Sequence, residues 1–216
     1  MKEHNPKKPL YRKKPRQQRA KVTVDIILQA ATKLICESDD GDFNTNRLAA
    51  VAGVSIGTIY QYYSDKQAIV ADICRRLIEK ELSEIDDVRV QAAAQGEHSL
   101  EQAIGYLIER MLKVNHQLYS LLRSHYLRAY WQIDFFKVAV DEDPDRRTAE
   151  VWLAEILNKY QQEITIDNSK LAAELVYSAI EGAIFVEMLR RPEQAFESAF
   201  KAELNRLAMR YLKSDL

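Results

Sequence analysis

The chain has 216 residues, 47% of them apolar and 29% charged, with a formal net charge of −1. That length allows one large or two small domains, each with a real core. A near-neutral balance argues against a protein that coats nucleic acid over its whole surface, and two cysteines argue against a disulfide scaffold.

Six glycines and five prolines punctuate long stretches of Ala, Leu, Glu, Lys, Gln, Ile and Tyr, which predicts an all-α chain of about nine helices. The charge is unevenly placed. Residues 1–75 hold 13 Lys/Arg against 8 Asp/Glu, and the remainder holds 18 against 24. A basic front and an acidic back fit a nucleic-acid module joined to a part that does not touch nucleic acid. No apolar leader follows the basic start and no apolar run reaches membrane-spanning length. The expected protein is therefore soluble and cytoplasmic, with no membrane partner and no cofactor or metal. Cys36 and Cys74 have no metal or redox spacing and are expected to be reduced and structural.

In chain order, residues 1–20 are basic, carry three prolines and lack periodicity, so a flexible arm is expected there. A first helix is predicted from about Val22 to Cys36, with Val24, Ile27, Leu28, Ala31, Leu34 and Ile35 on its apolar face. The acidic run Glu37–Asp42 ends it; the spacing lacks the downstream ligands of a calcium loop and reads as a solvated turn. Asn44 or Thr45 caps a second helix ending at Gly53, and Ser55 caps a third reaching Tyr62. Ser64 is expected to cap a long fourth helix running to Leu82 or beyond. The domain boundary is placed there: 21–82 for the first domain and 83–216 for the second.

Residues 45–64 form the most informative stretch. A small residue at the inter-helix contact (Ala49), a glycine at the turn (Gly53) and an apolar peg in the second helix (Ile59) are what two steeply crossing helices need. The second helix of this helix-turn-helix is read as presenting Ser55, Thr58, Gln61 and Tyr62 outward, with Tyr60 beside them. Hydroxyls and an amide near a helix N-terminus suit the DNA major groove.

These segments carry a resemblance to the TetR family of bacterial transcriptional regulators: PRQQRA at 15–20, IILQAA at 26–31, TNRLA at 45–49, AGVSIGTIYQYY at 52–63 and DKQAI at 65–69. The chain resembles that family over its first 80 or so residues. Tyr63 departs from the family's usual phenylalanine and is expected in the small core with its hydroxyl at the edge. The resemblance implies an N-terminal three-helix DNA-binding domain, joined by a long helix to a C-terminal ligand-binding and dimerisation domain. It further implies that Thr45 and Lys66 meet backbone phosphates, that Tyr60 and Tyr62 press on the sugar-phosphate backbone, and that Gly57 permits close approach. Ser55, Ile56, Thr58 and Gln61 are the candidates for base edges, Arg47 for a base or a phosphate, and Arg16, Arg19 and Lys21 for an arm along the backbone or minor groove.

In the second half, Ser99–Gln102 has the capping-box pattern and opens a helix to about Asn115; another is expected over 117–131. Asp143-Pro144 reads as N-cap and N1 for a helix to about Gln162, Asp167 or Asn168 starts one ending near Arg190, and Arg191-Pro192 opens the last, to about Leu212. One helix-turn-helix contacts too little DNA for tight specific binding, so a homodimer on a pseudo-palindromic operator is expected. Ala179, Gly182, Ala183 and Val186 on the penultimate helix, with Phe196, Phe200, Leu204, Leu207 and Tyr211 on the last, are the candidate interface; the resemblance implies a four-helix bundle there.

The middle helices are rich in aromatics. Tyr106, Met111, Tyr126, Tyr130, Trp131, Trp152, Phe185 and Met188 are the candidate lining of a pocket for an apolar or aromatic effector. His116 and His125 read as structural. Together these features describe a ligand-responsive regulator, most simply a repressor released by its effector. A non-specific architectural DNA binder would need more positive charge over the whole chain. A helical enzyme would need an active site, and Glu109, Glu155 and Glu181 are isolated carboxylates with no catalytic partner.

Overall fold

The computed structural model describes residues 10–37, 43–95, 99–130 and 149–213. Among them it has no strand and nine α-helices: α1 Gln18–Glu37, α2 Thr45–Ala52, α3 Ile56–Tyr62, α4 Lys66–Gln95, α5 Leu100–Leu122, α6 Ser124–Tyr130, α7 Ala149–Lys159, α8 Ser169–Arg190 and α9 Ser198–Lys213. Short 3-10 turns at Gln161–Glu163 and Gln194–Phe196 precede α8 and α9. The expected acidic turn at 38–42 and the Asp143-Pro144 helix start lie outside the described residues.

The all-α architecture is therefore as the composition implies, and most helix ends follow their capping chemistry. The Asn44 side chain accepts from the Arg47 N–H at the start of α2, and Gly53 closes that helix at φ +65°, a left-handed conformation that favours glycine. Ser55 accepts from the Thr58 N–H at the start of α3. Asn168, rather than Asp167, caps α8 through the Leu171 N–H. At α5 the capping box closes both ways: Gln102 Oε1 accepts from the Ser99 N–H at 2.8 Å, and Ser99 Oγ from the Gln102 N–H at 3.3 Å.

Four boundaries differ from expectation. α1 starts at Gln18, well before Val22, and residues 17–21 already close its first bonds. The cap of α4 is Asp65, whose Oδ1 accepts from the Ala68 N–H at 3.0 Å; Ser64 instead donates to the other oxygen of Asp65. α5 does not stop at Asn115 but runs to Leu122, because Asn115 satisfies its side chain on the Met111 carbonyl inside the helix. The break comes at Arg123, a non-glycine residue at φ +47°. The last helix starts at Ser198, after a 3-10 turn takes up the residues following Pro192.

The chain divides into two compact units, and not at one point. The first joins Met1–Lys80 with Gln117–Asp143; the second joins Glu81–His116 with Pro144–Leu216. In the first unit the α1 face Val24, Ile27, Leu28, Ala31, Leu34 and Ile35 is buried as its period predicts, with Leu48, Ala49, Ile59, Ile69, Val70 and Ile73 from α2, α3 and α4. Each full aliphatic burial contributes about 1.5–3 kcal/mol. α6 belongs to this unit: His125 meets the ring of Phe43 edge-on at 5.4 Å, and Cys36 Sγ donates to the Leu121 carbonyl at 3.7 Å. In the second unit α7 packs on α8, and α8 buries Ala172, Val176, Tyr177, Ile180, Ile184, Phe185 and Met188. Lys201 of α9 pairs with Glu109 of α5 at 2.7 Å, and His116 meets Phe196 edge-on at 4.8 Å. Among the described residues no helix is long and apolar enough to cross a membrane, and no group of His, Cys, Asp and Glu could hold a metal.

Candidate nucleic-acid interface

The interface is built on α2 and α3. α3 has only seven residues, and its period sorts them cleanly. Ile59, Tyr62 and Tyr63 fall at i, i+3 and i+4 and turn inward, with Ile59 1% exposed and Tyr62 7% exposed. Ile56, Gly57, Tyr60 and Gln61 face out, with Ile56 and Tyr60 about two-fifths exposed (41% and 38%).

This corrects the expectation for Tyr62. It does not stand beside Tyr60 on the outer edge but packs beneath α3, on the same stripe as the Ile59 peg. Thr58 is half-buried, and its hydroxyl lies 2.8 Å from that of Ser55. Both hydroxyls are thus engaged at the cap, so Ser55 first supports the helix that carries the outward row.

Tyr60 is oriented from the neighbouring helix. Its hydroxyl lies 3.3 Å from Thr45 Oγ1, at the first residue of α2. Lys66, half-buried in the first turn of α4, donates from Nζ to the Phe43 carbonyl at 3.4 Å, just ahead of the Asn44 cap. Two hydroxyls therefore meet at the positive end of α2, with a cation one residue from its cap, a combination suited to a phosphate oxygen. Arg47 on α2 is exposed, as are Arg16 and Arg19 near the start of α1. A Cβ built on Gly57 would meet only Ser55 Oγ, at 3.6 Å, so nothing within the chain demands glycine there.

Behind α3 lies a polar cluster that the sequence did not disclose. Asp72 of α4 is fully buried. Its Oδ2 accepts from the hydroxyls of Tyr63 at 2.6 Å and Tyr11 at 2.5 Å, while Arg75 donates to Oδ1 from Nε and Nη2 at 2.9 and 2.6 Å. Tyr63 thus places its hydroxyl in the interior, not at the edge. Burial, and next the Asp72 charge, push both tyrosine hydroxyls far above their ordinary range, so they remain proton donors. For Arg75, burial opposes the charge, but Asp72 outweighs it and holds the guanidinium protonated. Arg76 extends the network to Asp25 of α1 at 2.6 Å. Aromatic hydroxyls and acid–base spacing on α4 were visible in the sequence; their convergence was not, because Tyr11 and Asp72 are 61 residues apart.

The candidate effector residues divide between the two units. Tyr126 and Tyr130 belong to the first unit, where their rings meet edge-on at 5.9 Å; Trp131 lies outside the described residues. Tyr106, Met111, Trp152, Phe185 and Met188 belong to the second, where Tyr106 and Trp152 meet at 6.3 Å. The Tyr106 hydroxyl is buried and has no hydrogen-bond partner among the described residues. His125 and His116 each meet a phenylalanine ring edge-on, His125 buried and His116 exposed.

On α8, Ala179, Gly182 and Val186 are exposed and Ala183 is half-buried. They sit in a longer exposed stripe with Leu171, Leu175 and Leu189. On α9, Leu207 and Tyr211 are exposed and Phe200 is half-buried, as is Phe196 in the 3-10 turn before it. Leu204 is a correction: it is 3% exposed and shares the inner face of α9 with Ala208 and Leu212.

The short helix α3, presenting its outward edge next to the α2 N-terminus, makes a helix-turn-helix. Residues 27–73 match the family model for bacterial regulatory proteins of the tetR family, a span holding α2 and α3 whole. The chain thus has a TetR-type DNA-binding segment, and its fold is that of TetR-family regulators. A TetR transcriptional regulator from Rhodococcus sp. RHA1 aligns with a TM-score of 0.57 and 17% identity, over 92% of this chain and 100% of that one. NalD, the secondary repressor of the MexAB-OprM multidrug efflux pump in Pseudomonas aeruginosa, aligns at 0.55 and 16%, over 91% and 100%. FadR from Bacillus subtilis, solved with stearoyl-CoA, aligns at 0.56 and 16%, over 87% and 98%. Among curated proteins none matches.

Proposed function

We propose that this TetR-type regulator is a ligand-responsive repressor that binds a pseudo-palindromic operator as a homodimer. The observation that carries the reading is the outward row Ile56, Gly57, Tyr60 and Gln61, with the Tyr60 hydroxyl set beside Thr45 at the α2 N-terminus. Gln61 is suited to a bidentate contact with adenine and Ile56 to a thymine methyl, while Thr45, Tyr60 and Lys66 take phosphates and fix the register. Arg47, Arg16 and Arg19 add charge around this edge.

Dimerisation through α8 and α9 would space two such edges by whole turns of the duplex. The exposed stripe Leu171, Leu175, Val186 and Leu189 with Leu207 and Tyr211 supports it, since a row of apolar side chains of this length favours cover. At Gly182 a Cβ would meet nothing within 4 Å of the protomer, consistent with a glycine kept for the approach of a second helix.

The effector would bind in the second unit, among Tyr106, Met111, Trp152, Phe185 and Met188. These are mostly apolar groups with the Tyr106 hydroxyl left without a hydrogen-bond partner among the described residues, so a largely apolar molecule with a polar group suits them. FadR from Bacillus subtilis was solved with stearoyl-CoA and that from Thermus thermophilus with lauroyl-CoA, so acyl-CoA thioesters are reasonable first probes. An effector preferring a conformation with misplaced reading edges would lower operator affinity by its differential binding, typically about 1–3 kcal/mol.

Selection of bound genomic fragments, followed by gel shift of a selected and a random duplex at moderate salt, tests the reading. The selected duplex should bind at least about a thousandfold more tightly. Equal affinity for both would reduce the protein to a non-specific binder.

A further inference from the structure

Of the arm expected over residues 1–20, residues 1–9 lie outside the described residues, and the stretch just before α1 bonds to the first unit through Tyr11 and Arg12. The Tyr11 hydroxyl donates to Asp72 Oδ2 and accepts from Arg75 Nη2 at 3.2 Å, and its ring lies 5.5 Å from that of Tyr63. At the next residue, the Arg12 N–H donates to the Tyr62 carbonyl at 2.7 Å and the guanidinium to the Tyr60 carbonyl at 3.4 Å. Those carbonyls lie in the last turn of α3, where the helix dipole favours a cation. Residues 12–19 then run to the first turn of α1 with Lys13, Arg16 and Arg19 exposed. Tyr11 joins the basic segment to a buried carboxylate.

We propose that Tyr11 is a positioning residue for DNA binding, whose hydroxyl seats residues 12–19 beside the recognition helix as a fixed second contact with the phosphate backbone. The proposal rests on the regulator reading but addresses a residue outside its contact surface. A tethered cation spends less conformational entropy on each phosphate than one on a free arm. The seat therefore sets how many phosphates the chain engages on any duplex, whatever its sequence.

The test compares salt dependence on a random duplex for wild type, Tyr11→Phe, Lys13→Ala/Arg16→Ala and their combination. Tyr11→Phe keeps the ring on Tyr63 and removes only the hydroxyl. It should weaken random and operator duplexes by the same factor and lower the salt slope by about 1–2, at roughly 0.9 per phosphate lost. The double substitution should do the same. The combination should lose little more than either alone, because displaced cations have nothing left to lose.

Tyr63→Phe is the structural control. It removes the other hydroxyl from the same oxygen, and should lower the melting temperature while leaving the slope unchanged. Trypsin should cut after Arg12 and Lys13 faster in Tyr11→Phe than in wild type. A wild-type slope for Tyr11→Phe, multiplying losses in the combination, or unchanged trypsin cleavage would each overturn the proposal. Failure of wild type to prefer any selected duplex would instead defeat the regulator reading, leaving the random-duplex slopes to decide the role of Tyr11.

Discussion

Tyr60 and Tyr62 are two residues apart on α3, and their substitution should separate two functions. Tyr60→Ala with Gln61→Ala removes exposed groups, so operator affinity should fall at least tenfold while the thermal midpoint stays near wild type. Tyr62→Ala should cost about 3 kcal/mol of folding stability, because it empties an aromatic site beneath the helix. Equilibrium denaturation and gel shift on the same preparations check both. The buried tyrosines make a different prediction. Tyr11 and Tyr63 both titrate above their ordinary value of 10.0 in the folded chain. Their contribution is then complete below about pH 10 and is lost as pH rises, since the unfolded chain releases those protons first. The melting temperature should fall more steeply above about pH 10 in wild type than in a Tyr11→Phe/Tyr63→Phe double variant. The thiols divide in the same way: burial pushes the Cys74 thiol up and keeps it inert, whereas Cys36 is exposed and should take a thiol reagent in the native state.

At the scale of elements, legibility followed locality. The cap of α3, the left-handed glycine after α2 and the capping box of α5 each involve residues within four positions of one another, and all could be read from spacing. Replacing Gly53 by alanine should cost about 1–2 kcal/mol, because φ +65° is strained for any residue with a Cβ; urea denaturation measures it. Tyr62 shows the limit of reading chemistry without period. In a seven-residue helix, hydroxyls in a row look like an outward edge, but the period counted from Ile59 turns Tyr62 inward. Chemistry suggested one face and geometry imposed the other. The run-on of α5 past Asn115 was illegible because an asparagine that would end a helix elsewhere here bonds back to its own helix. The Asp72 cluster and the seat of Tyr11 lay beyond any window, since they join residues brought together only by folding.

At the scale of the molecule, the apolar row on α8 and α9 is the feature with the widest effect. Leu175→Asp with Leu189→Asp places charges in the middle of that row. The helix should still form, because both side chains are exposed in the protomer, but sedimentation should show monomers and operator affinity should collapse. A dimer retained by this variant would move the interface elsewhere. The division into a basic front and an acidic back was visible in the charges. The line between the units was not, because composition along the chain carries no trace of a segment that returns.

That return, in which Gln117–Asp143 rejoins the unit built by the first eighty residues, bears on any attempt to transplant the reading head. A fragment trimmed after the fourth helix begins would surrender the imidazole that caps the Phe43 ring and the carbonyl that receives Cys36. A chimaera with a foreign sensor must therefore be spliced at two places, carrying the returning stretch along with the head, or it would inherit the recognition surface without the wall behind it.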